Sequence, residues 1–168
     1  MKPLQVSYPL AVYYDKSCPL CAEEIHALKD YDANGRLSLI DCSQPGFSDS
    51  ETRLAGLSSA MLMRRIHARD AAGKWLDGVA VFEAAYGAVG IDAVARLWGQ
   101  PSLQPLLDRI YMWVAGHRMA ISWLRLNKAY GVLVRVAARP AARKAEACAG
   151  AAACRLKTPE DHVSRPIA

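Results

Sequence analysis

No stretch of this 168-residue chain runs to about 18 uncharged apolar residues, the length a membrane-spanning helix needs. The longest candidate, residues 106–126, is broken by Asp108, Arg109, His117, Arg118 and Arg125. Nothing at the start reads as a secretory leader, since residues 1–9 hold two prolines and no apolar run. A cytoplasmic location is the resulting expectation, and a reducing compartment disfavours structural disulfides. The five cysteines (Cys18, Cys21, Cys42, Cys148 and Cys154) therefore point to redox chemistry, metal binding or burial.

Other absences narrow the choice. There is no second Cys-x-x-Cys, while a structural zinc site needs four ligands, commonly two such pairs. His26, His67, His117 and His162 share no metal-ligand spacing and read as surface or satisfied histidines. Neither a metal nor a cofactor is expected. No aromatic-interleaved basic groove or nucleic-acid motif is present, and no internal repeat.

Charge is uneven. Residues 1–100 carry ten Lys/Arg against twelve Asp/Glu, and residues 101–168 carry eleven against four. The net charge of +5 thus resides in the second part. A solvated basic helical face is the plain reading, and an acidic partner or anionic membrane surface is the contact such a face can make.

What the chain does contain is Asp15-Lys16-Ser17-Cys18-Pro19-Leu20-Cys21, set between an apolar β-prone run and a helical pattern. Leu10 to Tyr14 reads as a short buried strand. A helix is expected from Cys18, because Pro19 suits a first turn where its missing N–H has no partner to lose. Glu23 and Glu24 are expected to complement its dipole, and Cys21, Ile25 and Leu28 to form its inward stripe. Asn34-Gly35 stops the helix, and residues 37–41 read as a second strand. Residues 44–50 are a polar loop, and Ser50 with Arg53 and Leu54 opens a short helix. Residues 61–68 are expected to be a third strand, turning at residues 70–73 into a fourth at residues 74–77. Gly78 leads into a helix over residues 79–86.

The expected fold class is α/β, a thioredoxin-like β-α-β-(α)-β-β-α core with a helical C-terminal extension. The redox domain covers residues 8–90 and the packed extension residues 91–138. An Ala-rich basic tail over residues 139–168 is expected to be largely disordered. In the extension, Ile91, Val94, Ala95 and Trp98 share one helical face. Leu103, Leu106, Leu107, Ile110, Tyr111 and Val114 continue at helical spacing, followed by Met119, Trp123 and Leu126. Trp98, Trp113 and Trp123 read as core or interface.

Two thiols on the first helical turn lie close enough for modest adjustment to close a disulfide. The first also meets unpaired N–H groups and the positive end of the helix dipole, which favour its thiolate. Cys18 is accordingly the expected nucleophile and Cys21 the resolving thiol. Asp15 has two readings, a proton carrier for a cysteine or a turn-forming carboxylate. Cys42 reads as a free thiol, and Cys148 with Cys154 as free thiols or a second exchange pair. A non-enzymatic module docking through the basic half, or a metal-binding protein, are the alternatives.

Asp15, Cys18 and Cys21 match the Asp-x-x-Cys-x-x-Cys motif for which the DCC family of thiol-disulfide oxidoreductases is named. The chain also resembles that family at residues 73–82 and at residues 111–118, where Tyr111, Trp113, Ala115 and Arg118 recur at the family's spacing. The resemblance spans residues 10–118. It implies a thioredoxin-like domain acting on a protein or small-molecule disulfide and recharged by an external thiol reductant. Two positions depart from the expected pattern. Lys16 stands where the family commonly has Gly, and residues 46–62 lack the proline that precedes the third strand in thioredoxins and glutaredoxins.

Overall fold

The computed structural model describes residues 4–123 and 136, without the side chains of Met119, Ser122 and Trp123. The expectations for Arg125, Leu126, Cys148, Cys154, His162 and the 139–168 tail lie outside the described residues, as do those for the Met119 and Trp123 side chains.

Strand β1 (Leu10–Tyr14) pairs in parallel with β2 (Leu37–Asp41) and antiparallel with β3 (His67–Arg69), which pairs antiparallel with β4 (Trp75–Asp77). The sheet order β2-β1-β3-β4 makes β1 an inner strand. That position explains its nearly continuous apolar sequence, because both of its faces are covered. Leu10, Val12 and Tyr14 face a core shared with Ile25, Leu28, Val81, Phe82 and Ala85. Tyr13 points the other way, against Leu62 and Cys42. With α1 (Pro19–Asp30) joining the parallel pair and a β3-β4 hairpin following, the described core is the thioredoxin-like α/β arrangement.

The segment before β3 differs from the sequence expectation. Residues 61–64 belong to a helix, α3 (Ser59–Arg64), and the strand is confined to His67–Arg69. The cause is local. Ser58 caps the helix by accepting the Met61 N–H on its hydroxyl, and Leu62 is the one buried residue of the turn, on a single face. The short helix opened by Ser50 is α2 (Ser50–Leu54), capped by Asp49.

After β4, Gly78 adopts φ 56° and ψ −126°, a region open to glycine, and launches α4 (Val79–Ala88). This helix runs two residues beyond the expected Tyr86 and is buried along most of its length. Next come α5 (Asp92–Trp98), packed on α4, and α6 (Gln104–Trp123), which packs on α1 and α4. Phe82 of α4 stacks on Trp98 of α5 and meets the Tyr111 edge of α6, with ring centroids 5.2 Å and 5.9 Å apart. Trp113 lies on the outer side of α6, 60% exposed and stacked on His117. Leu106 and Ile110 share that outward aspect. The apolar pattern of α6 is thus wider than the face it buries.

Candidate active site

The first turn of α1 is built around a sulfur. Cys18 is the N-cap, with extended backbone, and its Sγ accepts the Cys21 N–H at 3.3 Å, the part a serine or aspartate oxygen ordinarily plays. Pro19 occupies the first helical position, as its fixed φ favours. Neither Glu23 nor Glu24 falls in the first turn, so the expected complement to the dipole is absent there and the positive end faces the sulfur.

The Cys21 thiol donates to Cys18 Sγ at 2.6 Å. This hydrogen bond is the leading reason the Cys18 pKa is held down to about 7; burial works against it, and the Cys21 N–H and the Arg118 cation assist. Asp15 opposes the depression by its charge. Cys21 is pushed far up, chiefly because its proton is held in that bond and then because it is buried. One sulfur is prepared as a thiolate and the other as its proton donor. Their accessibility is inverted relative to their charge: Cys18 is fully buried and Cys21 half-buried.

Two carboxylates hold the turn. Asp15 Oδ1 accepts the Ser17 N–H at 2.9 Å and the Ser17 hydroxyl at 2.5 Å, while its main-chain carbonyl takes the Cys18 N–H. This is the turn-forming geometry that the sequence allowed for Asp15. Its second oxygen, Oδ2, meets Arg118 Nη2 at 3.0 Å, with the carboxylate 5% exposed. At the end of β2, burial pushes the Asp41 carboxyl up, but hydrogen bonds from Ser43, Gln44 and the Lys16 main chain outweigh it and hold it at about 2. The turn is therefore anchored from both parallel strands.

Helix α6, part of the expected C-terminal extension, packs beside the Cys pair and contributes two side chains to its surroundings. Arg118 reaches the Asp15 turn, and Tyr111, seven residues earlier on the same side, accepts the Ile66 N–H on its hydroxyl at 2.9 Å. Ile66 precedes β3, where thioredoxins carry the proline missing here. Tyr111 also lies beneath Arg65, whose guanidinium pairs with Asp77 at 3.0 Å. The i, i+7 spacing of Tyr111 and Arg118 was visible in the resembling segment, but nothing in one sequence says which helix face meets α1.

Between α1, α4, α6 and the Arg64–Ile66 segment lies a partly open cavity of about 340 Å³. Leu20, Ile25, Leu62, Phe82, Val114 and Ile121 give it a mostly apolar wall, and Cys21, Asp15, Arg118, Glu24, Arg64 and Arg65 contribute its polar and charged groups. No single sequence pattern announces such a space, since its walls come from five separated segments, around residues 14–25, 62–66, 82, 98 and 110–121.

The remaining candidates have other roles. Cys42 is buried and free, its thiol pushed up to about 12 by burial and by the Asp41, Asp49 and Asp15 charges. His26 bonds the Tyr14 hydroxyl and His67 the Arg65 carbonyl. Among the described residues, no three His, Cys, Asp or Glu side chains gather as a metal site, and no helix is long and apolar enough to cross a membrane.

The chain is 26% identical over 122 residues to an uncharacterized chloroplastic protein of Arabidopsis thaliana, covering 72% of this chain and 56% of that protein. It thus spans little more than half the length of that relative. No solved structure matches. The family model described as DCC1-like thiol-disulfide oxidoreductase matches residues 12–145, most of the sequence. The chain belongs to the DCC1-like thiol-disulfide oxidoreductase family.

Proposed function

We propose that the protein exchanges thiols and disulfides through Cys18 and Cys21. The observation that carries this reading is the pair itself, Sγ to Sγ 2.6 Å apart at a helix N-terminus, where the Cys21 hydrogen bond lowers the pKa of the first sulfur to about 7. The Cys18 thiolate attacks one sulfur of a substrate disulfide, expelling a thiolate and forming a mixed disulfide. Cys21 then loses its proton and displaces the second thiol, leaving a Cys18–Cys21 bond. An external thiol reductant returns the pair to the dithiol, and a cytoplasmic setting would supply one. Asp15 serves by fixing the turn and holding Arg118 beside the sulfurs.

Burial of Cys18 adds a condition. Its sulfur reacts through conformers in which the covering wall has moved, so the observed rate scales with the population of that open state. The test uses the full chain and a chromogenic aromatic disulfide. Cys18→Ser is expected to lose turnover, and Cys21→Ser to accumulate one equivalent of mixed disulfide on Cys18. Full-rate turnover by Cys18→Ser would remove the assignment.

A further inference from the structure

The apolar cavity beside the sulfurs has no part in the exchange steps as written, yet Cys21 lies in its wall and Cys18 does not. We infer that this cavity seats the apolar body of a low-molecular-weight thiol, the reductant of the oxidised pair, and delivers its sulfur to Cys21. This deepens the dithiol reading and rests on it.

Three observations favour such an occupant. The volume of about 340 Å³ lies at the lower end of small-molecule sites, and the walls, among them Ile25, Phe82, Val114 and Ala115, are apolar. Cys21 itself lines the cavity with the paired Asp15 and Arg118, so a ligand whose apolar body fills the space can present its sulfur to Cys21, while Glu24, Arg64 and Arg65 add further charge to the lining. An extended peptide is disfavoured at the same place. The Ile66 N–H that could pair with a peptide backbone is already donated to Tyr111, and β3 is an inner strand with both neighbours in place.

The chemistry then has a defined direction. The incoming thiolate attacks Cys21 Sγ, the sulfur–sulfur bond breaks, and Cys18 departs with the electron pair as a thiolate. Its departure is assisted by the Cys21 N–H and the Arg118 charge, and a more acidic thiol leaves faster. A second thiol then attacks the outer sulfur of the mixed disulfide. It releases the symmetrical small disulfide, and Cys21 takes up a proton. Two thiols are oxidised and one protein disulfide is reduced.

The experiment compares reduction of the oxidised full-length protein by benzyl mercaptan and by 2-mercaptoethanol, thiols of similar acidity that differ in apolar bulk. The benzyl thiol is expected to react at least tenfold faster. That ratio is expected to fall toward one in Ala115→Phe, which fills the cavity, and in Ile110→Glu, which polarises its half-exposed rim and avoids relying on a single variant that fails to fold. Acid quenching and peptide mapping are expected to find the benzyl adduct on Cys21. Equal rates for the two thiols, a ratio unchanged in both variants, or an adduct on Cys18 would overturn this inference and leave the dithiol reading standing. Failure of Cys18 and Cys21 to form any disulfide would overturn both.

Discussion

Replacing Cys21 by alanine removes the strongest of the influences that hold Cys18 as a thiolate. The Cys18 pKa of about 7 is a balance in which the Cys21 thiol leads, burial opposes, and the Cys21 N–H and Arg118 assist. Without the thiol donor, burial becomes the largest influence left, and it favours the neutral form. The Cys18 midpoint is therefore expected to return to the ordinary thiol value of 9.0 or to exceed it. A shift of two units is on the order of 3 kcal/mol between the protonation states. At pH 7 the thiolate population falls from about half to about 1%, a ~50-fold loss. Ultraviolet absorbance of the thiolate reads this directly and does not depend on whether a reagent can reach a buried sulfur. Subtracting the titration of Cys18→Ser removes the other cysteines, and Cys42 with its pKa near 12 stays silent below pH 9. A Cys21→Ala protein whose Cys18 still titrates within half a unit of 7 would refute the proposed hydrogen-bond control.

Two further perturbations probe the parts that α6 and the β4–α4 junction contribute. Arg118→Gln leaves the Asp15 carboxylate, 5% exposed, without its cation. A loss of roughly 2–3 kcal/mol in urea unfolding and a higher Cys18 midpoint are expected, with much of the stability returning in Asp15→Asn/Arg118→Gln; a double variant weaker than the single one would contradict the pairing. Gly78→Ala forces a Cβ to within 2.6 Å of Arg65 Nη2 and 3.4 Å of Tyr111 Cε1, on a backbone with φ +56°. Thermal unfolding is expected to show a cost of about 1–3 kcal/mol, and an unchanged midpoint would mean the junction relaxes freely.

The sequence made the core legible where chemistry and periodicity act locally. Pro19 after Cys18 announced a helix start and the apolar run Leu10–Tyr14 a buried strand, while α1 ends at Asp30, before the Asn34-Gly35 turn expected to stop it. Residues 61–68 misled because Met, Leu and Ile suit either element, and the deciding signal was the Ser58 cap three residues earlier. The Cys18–Cys21 juxtaposition could be reasoned from spacing alone. Arg118, Tyr111 and the cavity could not, because they depend on how α6 crosses α1, a tertiary contact between segments almost 90 residues apart. Nor did the cysteine spacing show that the acidic sulfur would be the buried one.

That inversion bears on what the depressed pKa accomplishes. Lowering a thiol from 9.0 to about 7 stabilises the reduced pair only slightly at pH 7, because much of Cys18 remains protonated there. Its effect on rate is larger. An attacking thiol is most effective when its pKa lies near the ambient pH, so the Cys21 hydrogen bond favours Cys18 as the attacking sulfur of the reduced pair. When Cys18 leaves from Cys21 that thiol proton is gone, and only the Cys21 N–H and Arg118 remain to assist it. In the proposed cycle, the reactivity of Cys18 as the attacking sulfur rests on the Cys21 hydrogen bond and Arg118, and the cavity on the Cys21 side would set access.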